Sequence, residues 1–264
     1  LVFDGCYHGA VDDTLVDLDP ASGTTVRRPS VLGQVHNHHA FTRVVPFNDL
    51  AALEAALSRG DVACLLAEPA LTNFGLVPPN RGFWPVAREL CRRRGTLFVV
   101  DETHTLSTAL GGYARAHELN PDALVVGKAV AGGLPCAVYG VTAELAQRMA
   151  RAKDSAPEGH SGIGTTLSGN PLTLAALEAA LTHLHTEANY AHMLAIAALL
   201  QDGLLKRVHA AHRPWTVTRL GARLELQFMP RTPRQAQDVR EHAQGALESF
   251  THLFMLNRGV LLTP

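Results

Sequence analysis

Two short apolar runs in the middle of the chain each lead into a residue of chemical interest. The first is TLFVVDE, residues 96–102, which leads into Asp101; the second is ALVVGKAVAGGLP, residues 123–135, in which Lys128 follows the apolar residues. Continuous apolar runs of this length are typical of buried strands in a parallel sheet. Ligands of such sheets bind beyond the carboxyl ends of the strands. The sequence therefore predicts that a carboxylate and an amine meet at one edge of a sheet.

The order of the other elements indicates an α/β fold in the first part of the chain. Strands are predicted at 1–7, 61–69 and 136–142, and helices at 48–60, 81–95, 142–152, 170–186 and 189–212. Strands that alternate with helices predict a mainly parallel central sheet. Asn48 and Thr142 are the residue types that cap helix N-termini, and each stands at the start of a predicted helix.

The sequence after Pro214 has a different character and predicts a smaller α+β unit. We expect two strands with a turn at Gly221, a helix over about 233–257 and a final strand in GVLLTP. The corresponding domains are a large domain, 1–186, and a connecting helix with a partial small domain, 187–264. Because both ends run directly into strand-like residues, we expect either a fragment or a naturally shortened member of a longer family.

Composition excludes several classes of function. The 264 residues carry a formal net charge of -1, which argues against a nucleic-acid-binding protein. No apolar stretch reaches the roughly 18 residues that span a membrane, and no signal peptide is visible. The four cysteines form no CxxC pair, which favours a reducing cytoplasm over a disulfide or zinc framework.

Lys128 and Asp101 together favour one cofactor, pyridoxal phosphate (PLP), whose aldehyde reacts with a lysine and whose ring nitrogen pairs with an acidic group. Desolvation at the sheet edge is expected to lower the pKa of Lys128. Asp101 must stay ionised, and Thr103 or His104 lies near enough in sequence to supply a hydrogen bond. The structural alternatives are a lysine that emerges into water and an aspartate that caps a loop.

Three weaker signals accompany this pair. Tyr7 follows the first strand and suits stacking on a cofactor ring, although packing is the commoner role. TTLSGNPL, residues 165–172, offers backbone N–H groups and hydroxyls to a phosphate, whereas ordinary capping by Ser168 or Asn170 is equally favoured. The histidines in HNHH, residues 36–39, lack a neighbouring carboxylate or cysteine at ligand spacing, so no metal site is predicted.

Several motifs in a fixed order resemble one enzyme family. They are CYHG at 6–9, EPALTNFGLVPP at 68–79, FVVDETHT at 98–105, VVGKAVAGGLPCAVYG at 125–140 and TTLSGNPL at 165–172. Together they resemble the class III (subgroup II) aminotransferases of PLP fold type I, with the branch of glutamate-1-semialdehyde aminomutase and its aminotransferase relatives as the nearest. The similarity covers nearly the whole chain, through LNRGVLLTP.

The resemblance implies a role for individual residues. Lys128 would carry the Schiff base with PLP and move the proton, and Asp101 would hold the pyridine nitrogen. Tyr7 would stack on one ring face and Thr103 would pack on the other, where the aminomutase pattern has valine. Thr166 would reach across a homodimer interface to the partner's phosphate.

The cofactor-binding set implied by the resemblance includes four further residues. Asn73 would lie near the cofactor's 3'-hydroxyl group, Glu68 would have a supporting role, and His8 and His104 complete the set. His104 stands where we expect an apolar residue in the aminomutase, and Thr263 stands where many ω- and diamine transaminases place a substrate-binding arginine. The family's N-terminal glycine-rich phosphate loop has no counterpart in the sequence.

The leading hypothesis is a PLP-dependent aminotransferase that moves an amino group from an amine or amino acid to a keto or aldehyde acceptor. An aminomutase of the glutamate-1-semialdehyde type uses the same half-reaction, so the motifs do not separate the two. A third hypothesis is a shortened homologue without catalytic activity that serves as a binding partner.

Overall fold

The computed structural model describes residues 1–33, 37, 40–157, 164 and 166–262. The strands in these residues are β1 Val2–Phe3, β2 Val16–Leu18, β3 Thr25–Arg27, β4 Val44–Val45, β5 Cys64–Ala67, β6 Leu97–Asp101, β7 Ala123–Val126, β8 Val138–Val141, β9 Thr216–Leu220 and β10 Arg223–Gln227. The helices are α1 Leu50–Leu57, α2 Phe83–Arg94, α3 Gly112–Ala116, α4 Ala143–Asp154, α5 Pro171–Ala179, α6 Glu187–Ala210, α7 Ala236–His242 and α8 Gly245–Leu256.

The central sheet has the strand order β5-β6-β7-β8 and carries the two runs that the sequence singled out. Strands β5, β6 and β7 are parallel, and Asp101 of β6 is in register with Val125 of β7. Strand β8 runs antiparallel to β7. The connection between them, residues 127–137, is shorter than the helical crossover that a further parallel strand requires. The predicted α/β class with a mainly parallel sheet is therefore confirmed.

An aromatic cluster covers one end of this sheet and fixes helix α2. The rings of Phe3 and Phe47 pack edge to face with centroids 5.2 Å apart, and the ring of Trp84 lies 5.5 Å from that of Phe98 in β6. The indole N–H of Trp84 donates to the carbonyl oxygen of Pro69 at 2.9 Å, so the buried ring leaves no polar atom unpaired. This packing holds β6, and with it Asp101, in a rigid frame.

The β9–β10 hairpin is antiparallel with its turn at Gly221, as predicted. Its tip docks on the loop that follows β6, where the N–H of Ala222 donates to the carbonyl oxygen of Ser107 at 3.1 Å. A Cβ atom on Gly221 would lie 2.3 Å from the Cα atom of Thr108, so only glycine permits this approach. The β9–β10 hairpin is thereby fixed against the loop that follows Asp101.

Two predictions for the last part of the chain were wrong. The single helix over about 233–257 is in fact α7 and α8, separated at Ala243 and Gln244, which leave the helical conformation. The break is stabilised because the N–H of Gln244 donates to the carboxylate of Glu248 at 3.1 Å. The final strand is absent over residues 260–262, where the N–H of Val260 instead closes the C-terminus of α8 on Met255; residues 263 and 264 lie outside the described residues.

The predicted helix starts had mixed outcomes. Thr142 caps α4 by accepting from the N–H of Leu145 at 3.3 Å, which confirms its assignment. Asn48 is not the cap of α1; Asp49 accepts from the N–H of Ala52 at 2.9 Å in that role. Asn48 is left-handed, with φ +65°, and its amide donates to two carbonyl oxygens of neighbouring loops.

Helix length and composition bear on the membrane question. Across the described part of the chain, no helix combines the length and the apolar character that crossing a bilayer demands.

All four cysteines are free thiols. We keep the division into a large domain, 1–186, and a partial small domain, 187–264, as a proposal, and note that α6 begins at Glu187.

Candidate active site

Asp101 and Lys128 lie at the same edge of the central sheet. Asp101 is the last residue of β6, and Lys128 follows the last residue of the adjacent parallel strand β7 by two positions. The N–H of Gly127 donates to the hydroxyl of Thr103 at 3.2 Å, which joins the loops that carry the two side chains. Lys128 has φ +49°, a strained conformation for a residue with a side chain.

The expected desolvation of Lys128 is not observed. Its side chain is exposed and lines an open cavity of about 530 Å³, together with residues 129 and 133–136. Lys128 begins a 3-10 turn, residues 128–131, instead of continuing β7. Lys128 is therefore accessible to a ligand at the sheet edge.

Asp101 is held by two hydrogen bonds. His8 Nδ1 lies 2.9 Å from Asp101 Oδ2, and the backbone N–H of Thr103 donates to Oδ1 at 3.0 Å. Burial acts to raise the pKa of Asp101, but the hydrogen bonds from His8 and Thr103 outweigh it, and the pKa is lowered. The carboxylate is therefore ionised at neutral pH, as its predicted role requires.

His8 is the charged partner of Asp101. Burial opposes its charge, but the hydrogen bond to Asp101 and a smaller interaction with Cys6 raise the pKa of His8 to about 10. The protonated imidazole donates through Nδ1, and its buried Nε2 has no hydrogen-bond partner among the described residues. His8 therefore has an unused N–H donor beside the predicted ring-nitrogen site.

Glu68 organises two further residues that the sequence placed at the site. Its buried carboxylate accepts from the backbone N–H of Tyr7 at 3.1 Å and from the amide of Asn73 at 3.3 Å, as well as from the hydroxyl of Thr72. Burial raises the pKa of Glu68. Its supporting role is thus to fix the loops of Tyr7 and Asn73, and the side chain of Tyr7 is left 41% exposed.

His104 does not bond to Asp101, contrary to the expectation from sequence proximity. Its Nδ1 lies 3.1 Å from Nη1 of Arg223, the first residue of β10. Burial, Lys128 and Arg223 in that order lower the pKa of His104 to about 4, so the imidazole is neutral. Sequence reasoning missed Arg223, because 119 residues separate it from His104 and no motif marks it.

Thr166 lies apart from these residues. It is exposed in the turn that precedes α5, and Asn170 caps that helix by accepting from the N–H of Thr173 at 2.9 Å. The capping alternative therefore holds for Asn170, and the reach of Thr166 to a partner's phosphate stays a prediction. The histidines at 36, 38 and 39, together with Thr263, lie outside the described residues.

The described residues fit the reactive half of pyridoxal phosphate. Asp101 supplies an ionised carboxylate for a ring nitrogen, Lys128 supplies an accessible amine for an aldehyde, and the unused Nε2–H of His8 faces no acceptor of its own. Asp101 and Lys128 are the two protein groups that this cofactor demands.

Comparison with known proteins gives relatives that are named as glutamate-1-semialdehyde aminomutases and as transaminases. The chain is 36% identical, over 268 residues and its whole length, to the glutamate-1-semialdehyde 2,1-aminomutase of Anaeromyxobacter sp. strain Fw109-5. A crystal structure of a glutamate-1-semialdehyde aminomutase from Pseudomonas aeruginosa PAO1 superposes with a TM-score of 0.94 at 45% identity, and a lysine variant of that enzyme has been solved in complex with PMP. An ω-transaminase from Sphaerobacter thermophilus is similar at 27% identity with a TM-score of 0.83.

These matches cover the whole of this chain but only part of each relative. The chain spans 60% of the Anaeromyxobacter protein, 59% of the Pseudomonas chain and 61% of the Sphaerobacter chain. The structural neighbours confirm the predicted fold type I, and two of the similar structures are described as complexes, one with PMP and one with PLP. The family model "Aminotransferase class-III" matches residues 1–262. The chain belongs to the class-III aminotransferase family, a family of PLP-dependent enzymes.

Proposed function

We propose that the protein is an aminotransferase that moves an amino group from an amine or amino acid donor to a keto or aldehyde acceptor. The observation that supports this most directly is the placement of Asp101 and Lys128 at the carboxyl ends of adjacent parallel strands, with their loops joined by the hydrogen bond between Gly127 and Thr103. The ionised state of Asp101, held by His8, supports the same assignment.

Each residue has a distinct task in this proposal. Pyridoxal phosphate, when bound, supplies an aldehyde that condenses with amines and a ring that withdraws electrons from the carbon to be deprotonated. Asp101 holds a negative charge against the protonated ring nitrogen, and His8 keeps that carboxylate ionised. Lys128 would hold the aldehyde through Nζ; once an amino donor has displaced it there, its free amine would take up and return a proton as general base and acid. Tyr7 and Thr103 would enclose the ring from its two faces.

Chemical labelling tests the assignment of Lys128. The chain has three lysines, Lys128, Lys153 and Lys206, and all three are exposed. Selective labelling of Lys128 would therefore not be explained by its exposure. The protein is mixed with PLP, reduced with borohydride, digested and mapped. We expect the pyridoxyl group on Lys128 and a visible absorption band before reduction.

Activity of lysine variants completes this test. Lys128→Ala should abolish amino transfer while the fold is retained, and Lys153→Ala, on the exposed face of α4, is the matched control that should retain it. A fully active Lys128→Ala variant, or a label spread evenly over the three lysines, would contradict the proposal. A folded protein that takes up no PLP would favour the non-catalytic binding partner instead.

The aminomutase is the second candidate, because two relatives that are 36% identical to the chain carry that name. His104 favours the aminotransferase, since the resemblance leads us to expect an apolar residue there and the structure has an imidazole bonded to Arg223. The two activities differ in their need for a second substrate. A keto product that forms only after a separate acceptor is added supports transfer, whereas rearrangement of one substrate without an acceptor supports the aminomutase.

We further propose a homodimer in which Thr166 serves the partner's site. The segment around Thr166 carries exposed leucines, with Leu167 75% and Leu172 70% exposed, an apolar surface suited to a second copy of the chain. Sedimentation of the PLP-loaded protein tests the proposed homodimer, and a monomer that binds PLP fully would contradict it.

The free thiols of all four cysteines are consistent with the predicted cytoplasmic location.

A further inference from the structure

Cys6 lies in the wall of an open cavity, next to the pair formed by His8 and Asp101. The cavity has a volume of about 570 Å³, and Tyr7 and Asn73 line it as well. Cys6 is only 2% exposed, so a molecule that reaches it must be small. Its side chain interacts with the imidazole of His8, which in turn bonds to the carboxylate of Asp101 at 2.9 Å. A thiol, an imidazole and a carboxylate are therefore connected in series.

The imidazole of His8 has an unused hydrogen-bond donor. Its Nδ1 is taken by Asp101, and its side chain is 2% exposed. The Nε2 atom is buried and has no hydrogen-bond partner within the ranges that the structure describes. Sulfur is only a weak acceptor, so the thiol of Cys6 does not serve this N–H as an oxygen would. Buried donors in folded proteins nearly always have a partner, and the Nε2–H of His8 therefore points to an acceptor from outside the protein.

The other three cysteines have different surroundings. Cys91 is fully buried in the hydrophobic core, and burial raises the pKa of its thiol to about 11. Cys64 and Cys136 are partly exposed. If exposure alone governed reactivity, Cys64 and Cys136 would react first, and Cys6 would be as inert as Cys91.

We propose that Cys6 is a modification site for small peroxides, which convert its thiol into a sulfenic acid that His8 stabilises. In this reaction the sulfur forms a bond to one peroxide oxygen, and the O–O bond breaks. The thiol gives up its proton, and the departing oxygen takes up a proton and leaves as water. The sulfur is oxidised by two electrons, and the peroxide is reduced. Peroxide reactivity of Cys6 is independent of amino transfer, because it needs only the thiol, His8 and the cavity.

His8 favours this reaction in two ways. A positive charge beside a thiol promotes its nucleophilic form, and a protonated imidazole can donate to the departing oxygen and regain a proton from the thiol. The oxygen that is added to the sulfur then supplies the acceptor that the Nε2–H lacks. Because Asp101 occupies Nδ1, the imidazole is held in one orientation, as a third group holds the base beside an activated nucleophile.

The experiment exposes the full chain, incubated with PLP, to hydrogen peroxide for a series of times. Catalase then removes the peroxide, and the protein is unfolded in excess dimedone, which traps sulfenic acids and reaches all four cysteines equally. Peptide mapping gives the rate at each position. We expect Cys6 to be oxidised about 10-fold faster than Cys64 and Cys136, the scale on which a cationic neighbour activates a thiol, and Cys91 to stay unlabelled.

Variants separate the effect of His8 from that of the cavity. His8→Asn keeps a side chain of similar size but removes the positive charge, and it should slow the oxidation of Cys6 about 10-fold. His192→Asn is the matched control, since His192 is exposed on α6, and it should leave the rate unchanged. Thermal unfolding verifies that each variant is folded. If His8→Asn does not fold, the order of the four cysteines in the wild-type protein carries the test.

Two outcomes overturn the inference. One is labelling that follows exposure, with Cys64 and Cys136 oxidised before Cys6. The other is a folded His8→Asn variant in which Cys6 is oxidised at the wild-type rate. A purely structural role of Cys6 would produce neither its early oxidation nor the dependence of that oxidation on His8.

Discussion

The Nδ1 atom of His8 lies 2.9 Å from Oδ2 of Asp101, although 93 residues separate the two in the chain. The His8 side chain is 2% exposed and that of Asp101 11%, so both charges are largely removed from water. Removing one partner of such a pair strongly destabilises the folded protein, because the other partner is left as an unpaired buried charge. The pair therefore both fixes the charge on Asp101 and ties the first loop of the chain to the end of β6.

The first prediction concerns the pH dependence of stability. The pKa of His8 is raised from 6.5 to about 10, so its contribution to the free energy of unfolding is complete below 6.5 and is lost as the pH rises towards 10. The pKa of Asp101 is lowered, so its contribution is present above its ordinary value of 3.8 and is lost as the pH falls below that. The pKa of His104 is lowered to about 4, so its contribution is present above its ordinary value of 6.5 and is lost as the pH falls towards 4. Urea unfolding without cofactor should therefore show maximal stability near about pH 6.5.

Variants of His8 isolate this effect. His8→Ala should lower the free energy of unfolding by about 3 kcal/mol near pH 6, because Asp101 loses its partner. His8→Asn retains a donor without a titrating charge, and the decline between pH 6.5 and 10 should disappear in it. An unchanged decline in His8→Asn would show that another group is responsible.

The second prediction concerns Asp101 in catalysis. Asp101→Asn keeps the size of the side chain but removes the charge that opposes a protonated ring nitrogen. We expect the rate of amino transfer to fall roughly 10²- to 10³-fold, the scale of losing one preorganised electrostatic group. Steady-state kinetics with saturating PLP measures this rate of amino transfer. Asp61→Asn is the control, since Asp61 pairs with Arg43 at the surface. Equal rates in the two variants would argue against the assigned role of Asp101.

The third prediction concerns the docking of the hairpin through Gly221. Gly221→Ala would place a Cβ atom 2.3 Å from Thr108 Cα in a backbone conformation with φ +60°. Gly60→Ala meets nothing within 4 Å at φ +68° and therefore reports the conformational strain alone. We expect Gly221→Ala to lower the free energy of unfolding by about 1–3 kcal/mol more than Gly60→Ala, the usual range for overpacking. Chemical denaturation of both variants provides the comparison, and equal effects would mean that the hairpin tip yields easily.

The fourth prediction concerns the ion pair that ties α7 to the start of the chain. Arg240 donates to both carboxylate oxygens of Asp4, at 2.5 and 2.8 Å, and the Asp4 side chain is only 6% exposed. Arg240→Met should lower the free energy of unfolding by about 2 kcal/mol, since it leaves a buried carboxylate with fewer partners. Arg59→Met breaks a solvent-exposed pair with Asp61 and should change stability little. Chemical denaturation compares the free energies of unfolding of the two variants. A negligible effect of Arg240→Met would contradict the expected dependence on burial.

The sequence alone determined those features that depend on local pattern. The apolar runs before Asp101 and Lys128 predicted two strands of one sheet, and parallel pairing necessarily brings their carboxyl ends to one edge. The turn at Gly221 and the cap at Thr142 follow from the conformational freedom of glycine and from the reach of a threonine hydroxyl. The prediction of one helix over 233–257 was wrong because the break between α7 and α8 involves a hydrogen bond from Gln244 to Glu248, which hydrophobic periodicity does not reveal.

Only the tertiary structure decided which residues surround the reactive pair. His104 lies three residues from Asp101 in sequence, yet His8 is the partner of Asp101 and Arg223 is the partner of His104. Lys128 begins a 3-10 turn after β7 and its side chain is exposed, whereas the apolar run before it led us to expect desolvation. Local pattern fixes where a strand ends, but hydrogen bonds between residues 93 and 119 positions apart arise only when packing brings separate elements together.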